Sequence, residues 1–151
     1  MFWESEEGIV PRKKIRIRWY NDIEDNLLLE KKISSPEGRY KTSKKISVSC
    51  QKQRMKIGFT DPCYGSLKPN TFISYTREYY SLGNLRLTFD SNLKYFFNKS
   101  SRVKSDTNCV IEIKAPFNCS FDDLENVFPE SGFSRFSKYS EAIKSMQKKE
   151  Y

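Results

Sequence analysis

Lys14-Ile15-Arg16-Ile17-Arg18-Trp19-Tyr20 is the stretch whose reading decides the fold. Its alternation at period two makes it a β-strand, with Lys14, Arg16, Arg18 and Tyr20 on one face. Ile15, Ile17 and Trp19 take the other. A half-buried strand shows this division when its charged side is wet. The division recurs along the chain. Leu28, Glu30 and Lys32 oppose Leu27, Leu29 and Ile33, while Lys31 falls on the apolar side and is expected to lift its ammonium to solvent. Arg39 to Ile46 reads as a third strand with Arg39, Lys41 and Ser43 together. Phe72 to Tyr80 places Ile73, Tyr75, Arg77 and Tyr79 on one side. Through Gly83-Asn84 it forms an antiparallel hairpin with Leu85 to Asp90, where Arg86, Thr88 and Asp90 oppose Leu85, Leu87 and Phe89. In the strand Cys109 to Ala115, Val110, Glu112 and Lys114 oppose Cys109, Ile111 and Ile113.

The remaining segments connect or cover these strands. Asn21 to Asn26 reads as a hairpin loop and Ser47 to Ile57 as a short helix. Gly58 to Asn70, punctuated by Gly and Pro, reads as a long connection. Ser91 to Asn108 reads as a loop with one short strand at Leu93 to Phe97. Ser120 and Asp123 look like a helix cap ahead of Phe121, Leu124, Val127 and Phe128. Ser134 to Met146 reads as a last helix with Phe136, Tyr139, Ile143 and Met146 inward, followed by a frayed tail. About six antiparallel strands followed by two helices is an α+β pattern, and 151 residues fit one domain, 1–151.

Composition bounds the chemistry. Lys+Arg 27 against Asp+Glu 19 gives a net charge of +8, which implies an anionic partner or a basic solvated surface. The absence of histidine excludes Ser-His and Cys-His catalysis and makes a zinc site improbable for the scattered Cys50, Cys63, Cys109 and Cys119. Four reduced thiols, no apolar run able to span a bilayer and no signal-peptide core ahead of Pro11 set the expectation of a cytoplasmic protein. Lys14, Arg16, Arg18, Lys32, Lys41, Arg77, Arg86 and Lys114 lie on at least five candidate strands. Two arrangements stay open on pattern alone. In one, these are outer faces in water. In the other, they converge on a wet cavity where Glu30, Asp90 and Glu112 are interleaved and a polyanion completes the charge balance. A basic nucleic-acid module is a third class, but no arrangement of aromatics for base stacking is legible and no nucleic-acid partner is expected.

Six motifs resemble, in order, those of the VTC (vacuolar transporter chaperone) domain, the polyphosphate polymerase branch of the triphosphate tunnel metalloenzymes. They are Lys14 to Asn21, Leu29-Glu30-Lys31-Lys32, Tyr75-Thr76-Arg77-Glu78, Leu85 to Asp90, Ile111-Glu112-Ile113-Lys114 and Phe136-Ser137-Lys138-Tyr139. The resemblance implies an antiparallel β tunnel with charged faces inward. Arg16 and Arg18 match the lumen arginines, Lys32 the lysine of the Glu-x-Lys strand, and Arg77 and Arg86 the arginines of the hairpin. Lys114 matches the lysine two residues past the metal-binding glutamate, which Glu112 matches. Arg135 and Lys138 match a basic pair near the final helix, and Lys41 matches a further phosphate contact for which Lys44 and Lys45 compete.

The implied activity moves the terminal phosphate of ATP onto a polyphosphate chain with Mn²⁺ or Mg²⁺. The alternatives are a non-catalytic polyphosphate or nucleotide binder and a triphosphate hydrolase on the same scaffold. Family members carry a segment before the Arg-x-Arg strand that supplies a first lumen strand with a phosphate-binding lysine and a Tyr-Phe-Asp strand. Neither motif precedes Lys14 here. The chain therefore resembles the C-terminal portion of the domain. Its tunnel is expected to be incomplete, with open sheet edges that invite self-association or a partner chain.

Overall fold

A computed structural model describes residues 2–20, 27–46, 58–97 and 103–147. The expected helix at Ser47 to Ile57, the loop at Asn21 to Asn26 and the tail from Lys148 lie outside the described residues. The chain divides into two compact units, Met1–Asn70 and Thr71–Tyr151. The architecture is α+β, built from antiparallel sheets with helices at the C-terminal end.

The first unit opens with a short helix α1 (Phe2–Glu6) and forms an antiparallel sheet in the order β1 (Arg12–Arg18), β2 (Leu27–Ser35), β3 (Gly38–Ile46). Register assigns the faces. Lys14 stands opposite Lys32, which stands opposite Lys41, and Arg16 stands opposite Glu30, which stands opposite Ser43. Directly opposed residues share a face, so the charged face foreseen from alternation is continuous across three strands. Lys45 joins it, whereas Lys44 turns to the other side with Tyr40 and Thr42.

Gly58 to Asn70 is more than a connection. It contains a hairpin of β4 (Phe59–Asp61) and β5 (Gly65–Leu67), turned at Gly65 with φ 66°. Asp61, 1% exposed, accepts hydrogen bonds from the Cys63 amide at 3.0 Å and from Lys13 Nζ at 2.9 Å. Lys31 Nζ is 3.6 Å from the same carboxylate. The expectation that Lys31 reaches to solvent is thus corrected: a buried aspartate from a distant turn receives it. Tyr64 donates to Glu4 at 2.9 Å and ties α1 to this hairpin.

In the second unit β7 (Leu85–Phe97) is central. β6 (Thr71–Leu82) pairs along one side, and β8 (Val103–Asp106) and β9 (Val110–Lys114) pair along the other. The short strand expected at Leu93 to Phe97 is present, but it continues β7 without the loop expected from Ser91. Its period breaks because β7 carries one extra residue opposite Tyr75, where Asn92 takes the left-handed conformation at φ 53°. This bulge inverts the strand's phase. Before it, Thr88 and Asp90 are buried; after it, Leu93, Tyr95 and Phe97 are buried. All five lie on the face that also carries Thr71, Ile73, Tyr75 and Arg77 of β6.

Helix α2 (Phe121–Val127) has the foreseen capping box, with Ser120 Oγ accepting from the Asp123 amide and Asp123 accepting from the Ser120 amide. None of its residues is buried, and Phe121 packs edge-on against Phe133. Helix α3 (Lys138–Gln147) begins later than the periodicity suggests, because Ser137 caps it: Ser137 Oγ accepts from the Ser140 amide. Its inward set is also corrected. Ser140, Ala142 and Ile143 are buried, while Phe136 and Met146 are exposed. Ala142 joins Leu93, Tyr95 and Phe97 in a core flanked by Ile73, Tyr75 and Val110. One end of this sheet face is therefore apolar and lies under α3, and the other end is charged and open. Among the described residues none of the sheets closes on itself, and no helix is long and apolar enough to cross a membrane.

The bulge yields a stability test. Asn92→Ala should destabilise the protein by about 1 kcal/mol, because Cβ strain in the left-handed region is no longer offset by asparagine's local hydrogen bonding. Asn92→Gly should be near neutral; chemical denaturation measures both.

Candidate functional site

The charged sheet face of each unit gathers cations around a buried carboxylate. In the first it is Glu30, 4% exposed at the centre of the β1–β3 face. Arg16 Nε donates to Glu30 Oε2 at 2.6 Å, and Lys41 Nζ lies 2.7 Å from Oε1. Arg18 Nε is 3.9 Å from Oε2, and its Nη1 donates to the Tyr20 hydroxyl at 2.9 Å. Burial opposes ionisation of Glu30, but hydrogen bonds from Lys41 and Arg16 and the charges of Arg16 and Arg18 outweigh it. The carboxyl is held at about 2. Beyond this knot the face carries further cations. Lys14, Lys32 and Lys41 form a rung of three like charges, and the next rung brings Arg12 and Arg39 to either side of Ser34. Like charges directly opposed in a sheet destabilise it, so such rungs favour an anionic counterpart.

In the second unit the carboxylate is Asp90, fully buried. Arg77 grips it with two prongs, Nε to Oδ1 at 2.6 Å and Nη2 to Oδ2 at 2.7 Å, and Lys138 Nζ from α3 reaches Oδ2 at 2.5 Å. Burial again disfavours the charge, and again the hydrogen bonds from Arg77 and Lys138 prevail, holding Asp90 below the usual carboxylate range. Arg77 is correspondingly pushed further up by its bond to Asp90. The Lys138 ammonium also lies 4.9 Å from the centre of the Tyr75 ring and 5.7 Å from that of Phe136, a cation–π setting. Arg77 Nη2 is 3.7 Å from Glu112 Oε2, and Lys114 Nζ is 3.6 Å from Glu112 Oε1. Arg86 stands directly opposite Lys114, a second rung of like charge.

Within the first unit the structure therefore brings Arg16, Arg18, Lys32 and Lys41 to one face. Within the second it brings Arg77, Arg86, Glu112 and Lys114 together and adds Lys138 through Asp90. Arg135 is exposed on the segment before α3 and does not share the Asp90 carboxylate. Lys138 and Arg77 are thus structural clasps as well as candidate anion ligands, and alternation alone did not reveal that. Sequence reading also missed Lys13 and Asp61. Thr60-Asp61-Pro62 with Gly65 is a turn signal that was available, but the lysine it would capture was not.

Glu112 is 45% exposed, and among the described residues no group of three or more Asp, Glu or Cys side chains forms a metal cage. One accessible carboxylate suits a hard cation only where most of the coordination comes from another oxygen source, such as phosphates.

A sequence profile described as the VTC domain matches residues 1–60 and 62–147. No curated protein and no solved structure matches the chain.

Two substitutions test the carboxylate-centred design. Glu30→Gln should cost about 2 kcal/mol at neutral pH, the scale of charge-assisted hydrogen bonds lost around half-exposed cations. Because the folded pKa of Glu30 is depressed to about 2, its contribution is full above the unfolded value of 4.5 and fades as pH falls toward 2. The gap between wild type and Glu30→Gln in an acid-unfolding series should close across that window. Asp90→Asn should cost more, about 3 kcal/mol, because it strips two cations of a fully buried partner. Thermal or denaturant unfolding reads it.

Proposed function

The chain belongs to the VTC domain family, and on that footing we propose that it is a polyphosphate polymerase-like phosphotransferase. It moves the terminal phosphate of ATP onto the end of a polyphosphate chain with a divalent metal ion. The observation that carries this reading is the gathering of arginines and lysines from neighbouring strands on one face of each unit's sheet, around a buried carboxylate. Arginine offers a planar fork that matches phosphate oxygens, and lysine a mobile point charge.

The chemistry asks little of the protein beyond placement and charge. A terminal phosphate oxygen of the chain attacks the γ-phosphorus of ATP. The bond from that phosphorus to the β,γ-bridging oxygen breaks, ADP leaves, and the chain is longer by one phosphate. The nucleophile is already anionic, so no general base is required, which accords with a sequence lacking histidine. Arg16, Arg18, Lys32 and Lys41 on the face of the first unit are candidate phosphate ligands, as are Arg77, Arg86 and Lys114 on that of the second, and cations of this kind neutralise charge that shifts to the leaving group. Arg135 and Lys138 are the candidate second phosphate contact. Glu112 is the protein's ligand for Mn²⁺ or Mg²⁺. Held there, such an ion would supply positive charge that offsets the repulsion between phosphates.

One observation favours a second reading. The Glu112 carboxylate already lies beside Arg77 and Lys114, as a plain ion-pair partner would. The chain would then be a polyphosphate or nucleotide binder that needs no metal. A hydrolase would use the same groups with water as acceptor.

Incubation with ATP and Mn²⁺, followed by assay for polyphosphate, should yield chain product. Arg77→Ala and Glu112→Gln should each lower its rate about a hundredfold, the scale seen when one transition-state donor is removed. Tight triphosphate binding without turnover would replace this reading with the binder, and release of free phosphate without chain growth would replace it with the hydrolase.

A further inference from the structure

The charged face of the second unit has a floor that the foregoing roles do not use. Thr88 lies in the middle of the central strand β7, directly between Tyr79 of β6 and Glu112 of β9. It shares its face with Arg86 two residues before it and Asp90 two residues after it. Its neighbours are long and it is short, so it sits at the bottom of a trough and is 7% exposed. Its hydroxyl Oγ1 has no hydrogen-bond partner among the described residues. A buried hydroxyl left unmatched costs free energy in a folded protein, and each such group calls for a reason. The neighbouring Arg86–Lys114 rung is a pair of like charges with no ion-pair partner for Arg86 among the described residues. An unmatched donor and a local positive excess, side by side on one face, ask for the same thing: an anion rich in acceptor oxygens.

We propose that Thr88 is a phosphate-binding residue, donating its hydroxyl proton to an oxygen of a phosphoryl group held by Arg86 and Lys114. This rests on the reading of the face as a phosphate site and adds a contact to it. The role suits threonine in a strand. Its branched Cβ holds χ1 stiffly, so the donor is oriented before the anion arrives and little freedom is lost on binding. The hydroxyl also carries no charge. It therefore adds direction to a site whose cations attract without fixing an orientation.

The test compares the full chain with Thr88→Val and Thr88→Ser, using inorganic tripolyphosphate as the calorimetric ligand and thermal unfolding without ligand as the control. Valine keeps the shape and removes the donor; serine keeps the donor. Thr88→Val should weaken tripolyphosphate binding about tenfold, the scale of one hydrogen bond to a charged group, without lowering the unfolding midpoint. Thr88→Ser should bind within about twofold of wild type. Equal affinity for wild type and Thr88→Val would overturn the assignment while leaving the phosphate site intact. A loss of affinity matched by a lower unfolding midpoint, with Thr88→Ser equally impaired, would overturn it in favour of a packing role. Failure of the wild type itself to bind tripolyphosphate would overturn the phosphate site and this assignment together.

Discussion

The cations at the centre of each charged sheet face depend on a buried carboxylate. Arginines and lysines crowded on a sheet face repel one another, and removing any of them from solvent adds a desolvation cost. A single acid at the centre of each group solves both problems at close range. Glu30 holds Arg16 and Lys41, and Asp90 holds Arg77 and Lys138. The acid is buried and its partners are partly exposed, so hydrogen bonding holds it ionised against burial. In each group the carboxylate fixes the geometry of two or three cations.

Asp90 has a second consequence for the fold. Its two partners come from a strand and from the final helix, so one carboxylate joins α3 to the sheet at the border between the apolar core and the charged trough. Leu93, Tyr95, Phe97 and Ala142 provide the bulk of that contact by burial, and the ion pairs give it a fixed register. Lys138 is well suited to the position because its ammonium meets the Tyr75 and Phe136 rings as well as the Asp90 carboxylate.

What could be read from the sequence was local and periodic. Alternation from Lys14 to Tyr20 and from Leu85 to Asp90 separated charged from apolar faces, and register bore out that separation. Ser120 with Asp123 marked a helix start through a pattern only four residues long. Three features escaped, each for a physical reason. The hairpin at Asp61 is organised by Lys13, 48 residues away in sequence, and no window of the chain contains both. The last helix starts at Lys138 because a serine caps it, whereas apolar spacing alone extends it upstream. The continuity of β7 was hidden by Asn92, since a strand that changes phase looks from its sequence like a strand that ends. The candidate site was legible as a set of residues. Their partners were not, because Asp90 and Thr88 matter through what surrounds them in three dimensions.

That change of phase also sets how the gene can vary. Elsewhere on a solvent-facing strand, a substitution is the usual currency of drift. Between Asp90 and Leu93 the strand holds one residue more than regular pairing needs, so a change in residue count is open to it as well. Deleting one residue there would remove the bulge and restore unbroken alternation with Leu93, Tyr95 and Phe97 still beneath Ala142, because Asp90 and Leu93 would then stand two apart on the same face. The loss of one residue should therefore be tolerated in this short interval, whereas the same loss between Leu93 and Phe97 would turn at least one of those three outward.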